Sequence, residues 1–305
     1  MTLKSLIGLS FLLFTAVSSA NGRWYEVEVV LFEHPDNEKV NEDFSFDLSP
    51  IKTNKSVDML SEHLQLMGQN KCLSKRSQSN IFNKALNTYS SPVCIGSVDY
   101  IALMDKTPLT LEVTLQEGME TPYIIAPEEL EFQSTISRLK REGMQPILHT
   151  GWRQPGLKER QAPSYRLFGG KNFSKQYDYF GNLKQTQNTY LDSSNNTDDL
   201  NTFLNQVINS DSLNSSSDNR SINHTTNNNS EYPNEAWQLD GLLKVFLRGR
   251  YLNIKAEFNL RAEDRTNEKL KNFHFNQFRR VISNEIHYFD HPKLGILIQI
   301  RRYMH

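Results

Sequence analysis

The sequence predicts an α+β protein: an N-terminal mixed sheet with helices, a disordered Asn- and Ser-rich insert, and a C-terminal antiparallel, β-rich domain. Three features carry that reading: period-two alternation near both ends of the chain, helical stripes between the early strands, and a central tract almost without apolar periodicity. In order, residues 1–20 read as a signal peptide, 21–170 as an α+β domain, 171–235 as a low-complexity linker and 236–305 as a basic β domain.

Lys4 supplies a positive start, Leu6 to Val17 an apolar run of twelve residues, and Ser18-Ser19-Ala20 the small residues of a cleavage point. A spanning helix needs about 20 apolar residues. The run therefore reads as a Sec signal peptide, giving a periplasmic chain that begins near Asn21 and has no later transmembrane segment. The first cysteine, Cys72, lies too far along for a lipid anchor. Cys72 and Cys94 are the only cysteines, and in an oxidising compartment they read as a disulfide, worth about 3 kcal/mol in the chain-entropy model.

Trp24 to Phe32 alternates and then turns apolar on both sides, as a strand entering a core does. Two helical stretches follow, one with Val57, Leu60, Leu64 and Met67 on a stripe, the other with Ile81, Phe82, Ala85, Leu86 and Tyr89. Strands are expected again at Val98–Leu103 and Leu109–Leu115. Pro127, Glu128 and Glu129 then open a helix with the stripe Phe132, Ile136, Leu139 and with Gly143 just past its end. Pro146 to Thr150 is expected as a short strand leading into a shaped loop, Gly151-Trp152-Arg153-Gln154-Pro155-Gly156. In that loop Trp152 either stacks on a sugar face with Arg153 and Gln154 donating to hydroxyls, or plugs the core.

Between Asn182 and Asn234 stand fourteen Asn and nine Ser. Such composition cannot bury enough apolar surface to offset the entropy of ordering. One island, Leu200, Phe203, Leu204, Val207 and Ile208 after Asp198-Asp199, has the spacing of an amphipathic helix, which either docks a partner or packs on its own domain. The Asn-x-Ser/Thr triplets of the tract follow from composition alone.

In the last segment, Leu252, Ile254, Ala256, Phe258 and Leu260 alternate with polar residues, while Leu243, Val245 and Leu247 have the opposite parity. A bulge or a hairpin turn at Arg248-Gly249-Arg250 explains the shift. Asp290-His291-Pro292-Lys293 reads as the turn of a β-hairpin, followed by Leu294, Ile296, Ile298 and Ile300 on one face, with Leu297 the exception. The wet side gathers Arg279, Arg280, Arg301 and Arg302, with Tyr288 at the hairpin end. From Ala236 onward there are thirteen Lys and Arg against seven Asp and Glu, a surplus of six in a chain of net charge −1. A basic face suits an anionic or sugar-bearing ligand, or is merely a solvated face. Export argues against nucleic acid. His287, Asp290 and His291 lack a zinc-site spacing, no catalytic motif is present, and no cofactor or metal is expected.

RWYEVEVVLFE at 23–33, LHTGWRQPG at 148–156, LLKVFLRGRYLNIKAEFNL at 242–260 and RRVISNEIHYFDHPKLGILIQIRRY at 279–303 resemble the CsiV family. The resemblance implies a non-enzymatic periplasmic protein that binds peptidoglycan and supports a class A penicillin-binding protein through its LpoA-type lipoprotein activator. It brings no catalytic motif and no residue-level site. Wall peptides carry carboxylates, which the basic face would gather. The alternatives are a wall-modifying hydrolase, whose paired carboxylates assemble only in the fold, and an envelope assembly factor without wall affinity.

Overall fold

A computed structural model describes residues 23–35, 47–86, 94, 99–116, 118–184, 230–264 and 268–304, the side chains of 75–86 excepted. The signal peptide, the Leu200–Ile208 island and the Asn-x-Ser/Thr triplets lie outside these residues.

The chain runs β1 (Trp24–Glu33), β2 (Ser56–Asp58), α1 (Leu60–Leu86), α2 (Tyr100–Leu103), β3 (Tyr123–Ile124), a 3₁₀ turn at Pro127–Glu129, α3 (Gln133–Arg141), β4 (Gln145–Pro155) and β5 (Ser164–Asn172). Beyond the insert come β6 (Trp237–Arg248), β7 (Tyr251–Ala262), β8 (Lys271–Val281), β9 (Ile286–Phe289) and β10 (Leu294–Tyr303). The strands build two five-stranded sheets, β3-β4-β1-β10-β9 and β2-β5-β6-β7-β8. Every pairing is antiparallel except β2 with β5. The class is α+β, with the helices few and peripheral.

The two sheets face each other over one core. Val27, Val29, Leu31, Trp152, Ile296, Ile298 and Ile300 of the first meet Tyr165, Leu239, Val245, Ile254 and Phe258 of the second. β1 is central, paired with β10 on one side and β4 on the other, which explains why it is apolar on both sides. Its outward residues Val30 and Phe32 pack under α3, with Phe132, Ile136, Leu139 and Leu297. Leu297, the residue that broke the alternation of β10, thus has an apolar partner, and that side of the sheet is covered there rather than wet.

Both sheets draw strands from either side of the 171–235 segment: β1 pairs β10, and β5 pairs β6. The margins of that segment are built in. Phe173 and Tyr179 are buried, and Thr53 donates its N–H to Glu231 O at 2.9 Å. Arg166 grips Asp240 in a fork of 3.0 and 3.1 Å and reaches Glu235 at 2.6 Å, fixing the chain as it re-enters the sheet.

Several local expectations are corrected. Val98–Leu103 is not a strand: Tyr100–Leu103 is a helical turn, because the Asp99 carboxylate accepts the N–H groups of Ile101 and Ala102. A four-residue apolar run has no period of its own to tell the two apart. Leu109–Leu115 alternates but forms no strand; Leu111 is buried while Leu115 is exposed. Val57 belongs to β2, and α1 begins after Asp58, whose carboxylate accepts the N–H groups of Leu60 and Ser61 at 3.0 Å. The two expected helices are one, Leu60–Leu86. Residues 151–155 are strand, not loop: β4 runs unbroken through Gly151 and Trp152. Gly151 is needed there because a Cβ would meet Ile125 at 2.7 Å.

The hairpin at Asp290–Lys293 is present, with Ile296 opposite Phe289. At Gly249 the hairpin alternative is the one found: Arg248 pairs with Tyr251, and Gly249 takes φ +64° in the two-residue turn. Cys72 and Cys94 are disulfide-bonded, tying α1 to the segment that follows it.

Candidate functional site

Residues directly opposite in an antiparallel pair share a face. On the outer face of the second sheet, Lys244, Lys255 and Phe278 form one cross-strand row, and Phe246, Asn253 and Arg280 the next. Arg248 and Tyr251 close the end, with Arg250 in the turn. Every charged residue in these rows is a cation. Lys244 stands directly opposite Lys255, an arrangement that destabilises a sheet. Lys244, Lys255, Arg250 and Arg280 have no carboxylate partner among the described residues, whereas Arg248 pairs with Glu159 at 2.8 Å.

Guanidinium groups lie over the rings. Arg280 Cζ is 4.7 Å from the Tyr251 centroid and Arg250 Cζ 5.4 Å from the same ring. Arg248 Cζ is 5.3 Å from Phe278 and 5.8 Å from Phe246, and the two phenyl centroids are 6.3 Å apart. Tyr251 is 44% exposed and Phe278 53%. Flat apolar rings framed by unpaired cations can stack on sugar rings while holding carboxylates.

The residues singled out from sequence fall in different places. Arg280 belongs to this face. Arg279, next along the strand, points the opposite way; it donates to Tyr288 O at 2.7 Å and lies 4.7 Å from the Phe289 ring, joining β8 to β9. Arg302 is exposed at the end of β10, opposite Tyr25. Tyr288 is stacked on Phe32 with centroids 6.2 Å apart, and its hydroxyl is engaged by Asp290 and His34. Burial, then Asp290, push that phenol well above its ordinary range. His287 is turned to the backbone of Ile282, and His291 Nδ1 accepts the N–H of Lys293.

Trp152 is 0% exposed. Its indole N–H donates to Gln154 Oε1 at 2.7 Å, and its ring packs 5.2 Å from Tyr165. Gln154 in turn donates to Val245 O of the opposite sheet at 3.2 Å. No ring face is left for a sugar; the pair links the two sheets.

Arg153 and Arg301 sit in a cluster on the outer side of the first sheet, where Glu26 lies between them on neighbouring strands. Arg153 Nε meets Glu26 at 2.9 Å and its terminal nitrogen Glu129 at 2.6 Å. Arg301 contacts Glu26 at 2.7 Å, Glu28 at 2.9 Å and Glu131 at 2.8 Å. Glu28, fully buried, also lies 2.9 Å from His149 Nε2 and accepts the N–H groups of Glu131 and Phe132 at the head of α3. Burial pushes its carboxyl up, but His149, the two amides and Arg301 outweigh it, and the pKa lies below the ordinary 4.5. The cluster pins the 123–132 segment to the sheet.

Phe246, Tyr251, Lys244, Lys255 and Phe278 were not singled out from sequence. The parity of those on β6 and β7 was legible, but their neighbourhood, with Phe278 on β8, depends on which strands pair and in what register.

On one side of this β-sandwich, then, two exposed aromatic rings stand among cations without carboxylate partners among the described residues. The family model described as "Peptidoglycan-binding protein, CsiV" matches residues 3–303, and the chain belongs to that family. Nothing among the curated proteins matches, and nothing among the solved structures. No helix among the described residues is long and apolar enough to cross a membrane.

Proposed function

We propose that this protein is a periplasmic accessory factor that binds peptidoglycan through the outer face of β6, β7 and β8. The observation that carries the reading is the direct opposition of Lys244 and Lys255 beside an exposed Phe278. Such a row costs stability and is offset when wall carboxylates occupy it. Glycan rings lie on Tyr251 and Phe278, and Arg280 and Arg250 hold acidic groups nearby. In the wider reading, which rests on the family resemblance, the bound protein supports a class A penicillin-binding protein through an LpoA-type lipoprotein activator.

Co-sedimentation with purified sacculi tests the site. The triple variant Lys244→Gln, Lys255→Gln, Arg280→Gln is expected to lose most sedimentation at low salt while melting at nearly the wild-type temperature, because exposed charges contribute only about 0–1 kcal/mol. Wild-type binding should weaken as salt rises, since exposed charges are screened within about 8–10 Å. Full sedimentation of the triple variant at low and high salt overturns the assignment. Capture of the lipoprotein activator from crosslinked periplasm tests the partner reading separately.

A further inference from the structure

Beside the β6–β7 turn, where the 158–161 segment runs along the end of β6, the chain forms an open recess of about 530 Å³, within the size range of small-ligand sites. Lys158, Glu159, Arg160 and Gln161 line one side, Leu247 and Arg248 the other. The frame is set by the backbone: Leu247 donates its N–H to Leu157 O at 2.8 Å, and the N–H groups of Gln161 and Ala162 both return to Lys158 O at 2.9 Å. The walls are therefore held by main-chain hydrogen bonds rather than by the charged side chains that line them.

The recess carries three cations and one carboxylate. Glu159 holds Arg248 at 2.8 Å, but their side chains are 50% and 60% exposed. An ion pair so open to water is weak, so a ligand carboxylate can replace Glu159 on the guanidinium at little cost. Arg248 is also the group that lies over Phe278 and Phe246. One side chain thus borders both the aromatic face and the recess.

We propose that the recess takes the free end of an uncrosslinked wall peptide whose glycan lies on the aromatic face, with Arg248 between them. A stem that has not been crosslinked keeps all its carboxylates, the terminal one included, and a free ammonium. Lys158, Arg160 and Arg248 match the first and the released Glu159 the second. A crosslinked stem has lost one of these charges to an amide bond. The protein would on this account distinguish newly made wall from finished wall. The inference rests on the reading of the β6–β8 face as the wall-binding surface.

The test uses the whole mature protein, labelled with ¹⁵N, and two soluble probes: an uncrosslinked disaccharide–tetrapeptide and the same disaccharide without peptide. The peptide-bearing probe is expected to shift the amides of Glu159, Arg160, Gln161 and Gly249 together with those of Tyr251 and Phe278. The peptide-free probe should shift only the last two. In the double variant Lys158→Gln, Arg160→Gln, affinity for the peptide-bearing probe should fall at least about tenfold, the loss of one charge-assisted contact being the lower bound when two cations are removed. Affinity for the peptide-free probe should not change, and an unaltered melting temperature shows the fold intact. Equal affinity of the double variant and wild type for the peptide-bearing probe overturns the proposal, as do peptide-dependent shifts confined to other parts of the chain. If the recess amides respond to peptide while Tyr251 and Phe278 respond to neither probe, the recess assignment stands and the aromatic-face reading falls.

Discussion

Glu28, on the central strand of the first sheet, accepts the N–H of Phe132 at 2.8 Å, so a strand carboxylate caps the head of a helix 104 residues further along the chain. The bond joins two events that sequence keeps apart, the placing of β1 and the start of α3. A negative charge at that position also matches the positive end of the helix dipole.

The pH dependence of stability follows from that cap. Because the pKa of Glu28 is lowered on folding, its contribution is fully present above the ordinary value of 4.5 and is lost as pH falls below it through the folded value. A Glu28→Gln variant should lose about 2 kcal/mol at neutral pH, where the wild-type carboxylate accepts charge-assisted bonds. The two proteins should converge in melting temperature in acid. Thermal melts of both between pH 3 and pH 7 check it; parallel curves without convergence contradict it.

Trp152→Ala should cost about 3–5 kcal/mol, the range for removing a large buried aromatic, and Gln154 would lose its indole partner. Denaturant unfolding measures the loss. Sedimentation with sacculi, scaled to the folded fraction, should be unchanged, which separates this core residue from a ligand contact.

Phe278→Ala removes a ring that is more than half exposed. Stability should change by less than about 1 kcal/mol, while binding to sacculi should weaken several-fold, as expected for a contact worth about 0.5–1.5 kcal/mol. Unlike the cationic substitutions, this loss should persist at high salt.

Reduction of the Cys72–Cys94 bond, which closes a separation of 22 residues, should lower stability by about 3 kcal/mol. Melting with and without reductant, set beside the Cys72→Ser, Cys94→Ser double variant, reads the effect; an unchanged melt in both would show that α1 is held by its packing alone.

What the sequence made legible was local. The alternation of Leu252 to Leu260, the turn at Pro292 and the pairing of the only two cysteines all rest on neighbours within a few residues or on chemistry that needs no geometry, whereas the helix expected to open at Pro127 begins only at Gln133, after a separate 3₁₀ turn at Pro127–Glu129. The candidate site was half legible. Arg280, singled out from sequence, lies on the proposed face, but Arg279 and Arg280 read as one patch until the pleat sent them to opposite sides. Lys244, Lys255 and Phe278 come together only through two registers that no single strand encodes. Trp152 takes the core-plug alternative, but the loop expected around it is strand: glycines and prolines beside it signalled a loop, whereas Gly151 serves close packing against Ile125 and Leu130.

The pairing of β1 with β10 has a consequence for how the chain reaches its shape. Arg301 meets Glu26 across 275 positions of sequence, so the earliest strand among the described residues waits for the last. Contacts so distant along the chain are slow to form. Until β10 arrives, β1 has β4 as its only described strand neighbour, and its other edge stays open.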